Sequence, residues 1–242
     1  MLAVSQVELW WFSLSVDEHT LASLIALLSP TEMARADRFR FDHHRRRYQI
    51  AHGALRILLA NHLHCSPASI AFDYSERGKP AIADHCQPQG LQFNLSHSED
   101  LGIVGISRDR LIGVDVEYVR DMDNLDSLIK RFFCAEEYHY FQQANSQEQQ
   151  KIFFQLWTAK EAYLKATGAG LAGGLDQVQL SLSPLKFQSL PGNTEDLKDW
   201  GLFSCALLSN YQAAIAVGQP WQRTTHLTPW QLEMKAFQFP IS

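Results

Sequence analysis

Two acidic residues spaced two apart, Asp115 and Glu117, are the first residues whose spacing indicates a chemistry. They lie in a run of strand-forming residues, and side chains at positions i and i+2 of a strand share one face, roughly 6 to 7 Å apart. Two carboxylates this close repel each other unless a cation lies between them, and hard oxygen ligands suit Mg²⁺ or, as an alternative, Mn²⁺. Gly113, on the same predicted face, would leave room for a ligand. The outward polar face of an antiparallel sheet would explain the same pattern.

A second charged group, Lys160, Glu161 and Lys165, lies in a predicted helix from about Glu148 to Thr167. Glu161 and Lys165 follow one another at i and i+4 along one face, which is also the spacing of an ordinary surface ion pair. However, apolar and aromatic residues surround these charges on several sides, so the helix has little plain polar face. If Glu161 meets the two strand carboxylates, three carboxylates could hold one Mg²⁺ while the lysines neutralise phosphate oxygens. That arrangement suits phosphoryl-type transfer.

The third group is Ser96 and His97, small polar residues at the end of a predicted strand. Neighbours on a strand point to opposite faces, so a nucleophilic pair made by these two residues is disfavoured. Their hydroxyl and imidazole could instead donate to a phosphate, although a capped turn explains the pattern equally well. Lys79, between a glycine and a proline, is similar: the segment predicts a tight turn and could present the lysine to an anion.

The elements that must position these residues alternate in type along the chain. Alternating or β-branched apolar residues predict strands, and Ser29-Pro30 supplies a cap signal for an arginine-rich helix that continues through Arg47 to about His62. Gly168 and Gly170 are predicted to end the later helix. This mixed order, with hairpins, favours an α+β fold over a doubly wound parallel sheet. The predicted strands are 7–12, 91–95, 101–106, 111–118, 177–182, 202–207 and 211–217, and the other helices are 21–28 and 126–141.

Charge is unevenly distributed over the 242 residues. The formal net charge is −5, which disfavours a nucleic-acid-binding surface over the whole molecule. Between Arg35 and Arg56, however, seven arginines face only two aspartates, a local charge of +5. A cationic patch on an acidic protein suits a small polyanionic ligand better than a duplex.

The compartment follows from the cysteines and the apolar runs. The four cysteines are scattered, which predicts reduced thiols in a cytoplasmic protein. The longest apolar run falls well short of the roughly 20 residues that a membrane helix needs, and the N-terminus does not look like a signal peptide. We therefore expect a cytoplasmic protein with no membrane partner.

Taken together, these segments resemble the surfactin-synthetase-activating (Sfp-like) class of 4′-phosphopantetheinyl transferases. They come in that family's order and at its spacing over roughly residues 29 to 180. The most specific feature is G-x-D-x-E followed some way later by W-x-x-K-E-x-x-x-K. The matching pieces are Gly78-Lys79-Pro80, Phe93-Asn94-Leu95-Ser96-His97-Ser98, Gly113-Val114-Asp115-Val116-Glu117, Arg131-Phe132-Phe133 with Glu137-Tyr138, and the helix segment from Trp157 to Lys165.

The resemblance implies an activity, a fold and a partner. Such enzymes move the phosphopantetheine arm of coenzyme A onto a serine of an apo acyl or peptidyl carrier protein and release adenosine 3′,5′-bisphosphate. The carrier would serve fatty acid, polyketide or non-ribosomal peptide synthesis. The implied fold has two pseudo-duplicated α+β halves, with the active site in the cleft between them. We expect the halves at 1–119 and 120–242, and a monomer, because one chain encodes both sides of the cleft.

The resemblance also implies roles at the reacting centre. Asp115, Glu117 and Glu161 would be the Mg²⁺ ligands, and Glu161, directly or through water, would deprotonate the incoming serine. Lys160 and Lys165 would neutralise charge on the pyrophosphate and on the departing nucleotide.

Further residues would bind coenzyme A. Lys79, Ser96 and His97 would contact chiefly its phosphates. Arg35 and Arg47 fall where members of the family place basic residues toward the 3′-phosphate, whereas Glu32 stands where some members carry lysine. Arg47 is the best single choice for this contact.

Two alternatives use the same residues. One is another Mg²⁺-dependent phosphoryl or pyrophosphate enzyme, such as a hydrolase. The other is a scaffold that binds a carrier protein without turnover, against which the three converging carboxylates argue. No P-loop, H-E-x-x-H or G-x-S-x-G motif indicates a different chemistry.

Overall fold

The computed structural model describes residues 6–86, 90–170, 174–191, 194–220 and 231–239. The helices within these ranges are α1 (Glu18–Ile25), α2 (Pro30–Ala36), α3 (Asp42–Leu63), α4 (Leu125–Phe132), α5 (Ala135–Gln142) and α6 (Ser146–Thr167). The strands are β1 (Gln6–Ser13), β2 (Phe72–Tyr74), β3 (Pro80–Ile82), β4 (Leu91–Ser98), β5 (Leu101–Arg108), β6 (Arg110–Tyr118), β7 (Gln179–Leu182), β8 (Leu185–Ser189), β9 (Gly201–Leu207), β10 (Tyr211–Pro220) and β11 (Gln231–Ala236).

Two main sheets carry the architecture, and the predicted α+β class is confirmed. The first sheet has the order β11-β1-β5-β4, and the second has the order β6-β10-β9. All neighbours are antiparallel except β1 and β11, which pair in parallel. β2 with β3 and β7 with β8 form separate two-stranded hairpins.

The two sheets share one apolar core, because each strand presents alternate side chains to opposite faces. The inner faces meet through residues such as Leu9 and Ile103 of the first sheet and Val114 and Ile215 of the second. On the outer face of the first sheet α3 packs on Phe93 and other apolar residues, and on the outer face of the second sheet α6 packs on Ala214 and Ala216. Each half therefore consists of a sheet covered by one 22-residue helix.

The predicted division at residues 119 and 120 stays a prediction, but the path of β6 bears on it. β6 pairs with β10 along seven consecutive register positions, from Ile112 to Tyr118, so this strand of the predicted first half lies in the sheet of the second half. Asp109, at a positive φ of 56°, connects β5 to β6 as a single residue. The chain therefore passes from the first sheet to the second at this turn.

The arginine-rich helix is two helices, not one, which corrects the prediction. α2 begins as expected, with Ser29 as its N-cap, Pro30 at the first position and Glu32 completing a capping box. It ends at Ala36, and α3 starts at Asp42 after an extended Phe41. The predicted helix 126–141 is likewise two helices, α4 and α5, separated by Phe133 and Cys134.

The end of α6 is as predicted. Gly168 caps the helix at a φ of 73°, in the left-handed region that glycine adopts at little cost. All four cysteines are free. Among the described residues no helix is long and apolar enough to cross a membrane.

Candidate active site

The strand β6 supplies two carboxylates on the face that packs against α6. Asp115 is 3% exposed and Glu117 is half-buried. The apolar residues of the same strand face the core between the sheets, so the predicted division of β6 into two faces is confirmed.

Gly113 serves the packing of α6 rather than a ligand, which corrects the expectation of open space. A Cβ at this position would lie 2.0 Å from the carbonyl oxygen of Ala162 and 2.3 Å from the amide nitrogen of Ala166. Both atoms belong to the backbone of α6 and cannot move aside. The missing side chain therefore lets the helix approach the strand at the level of the carboxylates.

That close approach brings Glu161 and Lys165 of α6 beside the strand. The ammonium of Lys165 donates to Asp115 Oδ1 at 2.6 Å and to Ser96 Oγ at 2.9 Å. Ser96 lies on β4, so this small network joins the two sheets. The predicted meeting of the strand carboxylates with the charged face of α6 is thus present.

Burial, followed by repulsion between neighbouring carboxylates, determines the pKa values of the cluster. Burial raises the pKa of Asp115, and burial together with the charge of Asp115 raises the pKa of Glu117. Burial, and then the charge of Asp115, raise the pKa of Glu161 to about 7, against the opposing effect of Lys165. Three carboxylates beside one lysine therefore call for a further cation.

Two buried carboxylate oxygens support a cation at this position. Asp115 Oδ2 and Glu161 Oε1 have no hydrogen-bond partner, and an unpartnered buried carboxylate oxygen is costly. Hard oxygen donors of this kind suit Mg²⁺ or Mn²⁺. No group of three His, Cys, Asp or Glu side chains within the described ranges is already arranged around one point as metal ligands. The residues fit a divalent ion through two free oxygens, whereas the three-ligand set stays a prediction.

Lys160 lies elsewhere, and its predicted role at the pyrophosphate is corrected. Its side chain is fully buried, and its ammonium pairs with Glu137 at 2.7 Å and donates to the carbonyl oxygens of Leu175 and Val178. Consecutive helix residues point about 100° apart, so Lys160 and Glu161 cannot face one ligand together. Lys160 joins α5 and the segment before β7 to α6.

The two polar residues at the end of β4 separate as their strand positions predict. Ser96 is buried between Asp115 and Lys165, and its hydroxyl bonds to both side chains, so its contact with a phosphate stays a prediction. The ring of His97 reaches solvent on the other face. Desolvation on its protein side, and the positive charges of Lys165, His52 and Arg47, lower the pKa of His97, so the imidazole is neutral at pH 7.

Lys79 reaches the same helix from the hairpin region of the first half. Its ammonium donates to the carbonyl oxygen of Ala166 at 2.6 Å, one residue beyond Lys165, and burial lowers its pKa to about 8. Arg77 donates to the carbonyl oxygen of Ala169 at 2.5 Å. Both cations therefore lie at the C-terminal end of α6, where carbonyl groups favour positive charge.

The arginines between Arg35 and Arg56 include both surface and buried residues. Arg47 pairs with Glu99 at 2.8 Å and Asp100 at 3.1 Å, the two turn residues that follow Ser98. Arg56 is buried and pairs with Glu32 at 2.7 Å. Glu32 is thus engaged in a buried ion pair. Arg47 stays the predicted contact to the 3′-phosphate.

Ser98 is a residue that sequence reasoning missed. Its hydroxyl donates to Glu117 Oε2 at 2.9 Å, as Ser96 donates to Asp115 Oδ1 at 3.0 Å. The signal was present in the sequence, because Ser96 and Ser98 repeat the i, i+2 spacing of the two carboxylates.

Comparisons with known proteins match both parts of the chain to one family. A family model described as the 4′-phosphopantetheinyl transferase superfamily matches residues 111–216, and one described as 4′-phosphopantetheinyl transferase, N-terminal, matches residues 14–108. The chain is 42% identical over 222 residues to the 4′-phosphopantetheinyl transferase HetI of Nostoc sp., covering 91% of this chain and 92% of that protein. It is 32% identical over 163 residues to the 4′-phosphopantetheinyl transferase psf-1 of Bacillus pumilus, covering 67% of each.

Among solved structures, the Thermotoga maritima holo-[acyl-carrier-protein] synthase (AcpS) aligns over 45% of this chain and 62% of its own. The TM-score is 0.37 and the identity 19%, a likeness too distant to carry a conclusion.

Proposed function

The chain belongs to the 4′-phosphopantetheinyl transferase superfamily, and we propose that the cluster of Asp115, Glu117, Glu161 and Lys165 is its reacting centre. The enzyme transfers the 4′-phosphopantetheine group of coenzyme A to a serine of an apo carrier protein and releases adenosine 3′,5′-bisphosphate. The observation that carries the assignment is the ion pair between the half-buried Lys165 and the buried Asp115, together with two carboxylate oxygens that lack partners.

Asp115, Glu117 and Glu161 would hold a divalent ion, Mg²⁺ or alternatively Mn²⁺. The free oxygens of Asp115 and Glu161 support this arrangement. When bound, the ion withdraws charge from the pyrophosphate oxygens and so favours departure of the nucleotide.

We assign Glu161 as the group that accepts the proton of the incoming serine. In the transfer, the serine oxygen bonds to the pantetheine-bearing phosphorus, and the bond from that phosphorus to the bridging oxygen breaks. The serine proton passes to the Glu161 carboxylate, directly or through one water, and the electron pair leaves with adenosine 3′,5′-bisphosphate. A carboxylate positioned beside the incoming hydroxyl can accept its proton as a general base.

Lysine, arginine and histidine side chains around the cluster are suited to the phosphates of coenzyme A, with the neutral imidazole of His97 acting as a hydrogen-bond donor. The ammonium of Lys165 is 2.6 Å from Asp115 and can neutralise charge that develops on the departing oxygen. Lys79, His97 and Arg47 approach from the first half and would bind the remaining phosphates. The fully buried Lys160 is left out of this set.

The assay is incubation of the enzyme with coenzyme A, Mg²⁺ and apo carrier proteins of fatty acid, polyketide and non-ribosomal peptide synthesis. We expect the carrier to gain the mass of one phosphopantetheine group, and a chelator to prevent the gain. Cleavage of coenzyme A without a change in carrier mass would indicate a hydrolase. Binding of the carrier with neither change would indicate a scaffold, and either result would contradict the proposal.

We also propose that the enzyme acts in the cytoplasm as a monomer. Free cysteines support the compartment, because a reducing environment keeps thiols unpaired. The monomer is supported by the site itself, since one chain provides Ser96 from the first sheet and Asp115 from the second.

A further inference from the structure

Two serines of β4 face two carboxylates of β6 with the same spacing. Ser96 donates to Asp115 Oδ1 at 3.0 Å, and Ser98 donates to Glu117 Oε2 at 2.9 Å. β4 and β6 belong to different sheets and share no backbone ladder in the described part of the chain. The side chains therefore provide the bridges between these two strands.

A third bridge fixes the register of the two strands. Asn94, two residues before Ser96, accepts the backbone amide of Val114 on its Oδ1 at 2.9 Å. Asn94 and Ser96 are both buried. Three alternate residues of β4 thus contact positions 114, 115 and 117 of β6.

Each serine hydroxyl has its single hydrogen committed to a carboxylate. A hydroxyl has one donor and two acceptor positions. The Ser96 oxygen also accepts from the Lys165 ammonium at 2.9 Å, and the Ser98 oxygen accepts from the backbone amide of Tyr118 at 3.1 Å. Each hydroxyl therefore has its donor and one acceptor position engaged within the protein.

The bonds also select which carboxylate oxygen stays free. At Asp115, Oδ1 receives both Ser96 and Lys165, whereas Oδ2 is buried without a partner. At Glu117, Ser98 occupies Oε2. A carboxylate held by one oxygen has a fixed plane, so its second oxygen is presented in one direction.

From this geometry we infer that Ser96 and Ser98 are positioning residues, which hold Asp115 and Glu117 so that one oxygen of each is directed to the divalent ion. The inference rests on the proposed metal site of the transferase. It gives Ser96 a contact with a metal ligand, and it gives Ser98 a role. Partners that orient metal ligands commonly change metal affinity 10- to 100-fold when they are removed.

The test is the affinity of the coenzyme A-saturated enzyme for Mn²⁺, measured by calorimetry without carrier protein. We expect Ser98→Ala to weaken Mn²⁺ binding roughly 10-fold, and Ser98→Thr, which keeps the hydroxyl, to restore it. In transfer assays the KM for Mg²⁺ should rise, while kcat at saturating Mg²⁺ stays near that of the unsubstituted enzyme. Ser96→Ala should weaken Mn²⁺ binding in the same way.

Ser107→Ala is the matched control, because Ser107 is a buried strand serine that bonds to the carbonyl oxygen of Arg110 and touches no carboxylate. It should leave Mn²⁺ affinity unchanged. A double substitution tests the route of the effect: in a Glu117→Gln background, Ser98→Ala should weaken Mn²⁺ binding no further. If Ser98→Ala does not fold, Ser98→Cys, with a weak donor of similar size, takes its place.

Unchanged Mn²⁺ affinity in folded Ser98→Ala and Ser96→Ala would overturn the inference, and so would an unsubstituted enzyme that binds no Mn²⁺. An additive effect in the Glu117→Gln background would show that Ser98 acts by another route and would overturn its part of the inference. Failure of the proposed function is distinguishable, because it would leave the carrier unmodified while the serine variants still change Mn²⁺ binding.

Discussion

At the scale of single residues, Glu161 combines a proposed chemical role with a cost in stability. Its pKa is raised from 4.5 to about 7 by burial and by the charge of Asp115. A carboxyl whose pKa is higher in the folded than in the unfolded state binds its proton more tightly when folded. Its contribution to stability is therefore complete below about pH 4.5 and is lost as the pH rises through about 7.

We expect Glu161→Gln to stabilise the metal-free protein at pH 8 while removing most transfer activity. The amide cannot ionise, so the variant avoids a penalty of about 1 to 3 kcal/mol after allowance for solvent screening. Thermal unfolding with chelator at pH 8 and at pH 4.5 checks the sign. The gain should be present at pH 8 and absent at pH 4.5; a variant less stable at both would show that the carboxylate is structural.

Lys160, in contrast to Glu161, stabilises the folded protein through its charge. Lys160→Met would leave Glu137 buried without its cation and should lower the free energy of unfolding by about 3 to 5 kcal/mol. Denaturant unfolding measures this loss. Lys130→Met is the control, because Lys130 forms an exposed pair with Asp126 and lies over the ring of Tyr138 at the surface, so its loss should change stability far less. Equal stability of the two variants would contradict a buried anchoring role for Lys160.

At the scale of elements, the contact between β6 and α6 determines where Glu161 and Lys165 lie. Gly113→Ala should displace the helix, because the added Cβ would meet backbone atoms at 2.0 and 2.3 Å. We expect loss of transfer activity and a lower melting temperature than in Gly170→Ala, where nothing lies within 4 Å and only a positive φ of 63° is strained. Activity and melting curves of both variants, measured side by side, provide the check. An active Gly113→Ala enzyme would contradict this positioning.

The elements that carry the site could be predicted because their signals are local. β6 alternates apolar and polar residues, and α6 has a clear glycine stop, so both were found with their charged residues. The break between α2 and α3 contains no glycine or proline, and its Phe41 cap has no side-chain hydrogen bond. Nothing local therefore predicted it.

Other features depend on contacts distant in sequence. β11 pairs with β1 across most of the chain, and periodicity cannot find such a partner. The direction of Lys160 was available in principle from helix geometry, but its partner Glu137 lies on another helix. The candidate site residues could be named from the sequence, but only the three-dimensional fold shows which of them contact one another.

At the scale of the whole molecule, the core between the sheets unites the two halves. Its side chains come from both sheets, so neither half can keep its inner face buried alone. We expect calorimetry to show one cooperative unfolding transition rather than two. Ile103→Ala in the first sheet and Ile215→Ala in the second should both lower that single transition. Separate transitions for the two family-model regions would contradict a shared core.

The same shared core limits how the halves can move. Hinge opening would expose side chains such as Leu9, Ile103, Val114 and Ile215 to water, at about 1.5 to 3 kcal/mol each. At this cost, hinge opening and closing would be too rare to accompany each turnover. Coenzyme A and the carrier serine should therefore meet strands and helices that already stand at their working separation, with adjustment confined to side chains and surface turns.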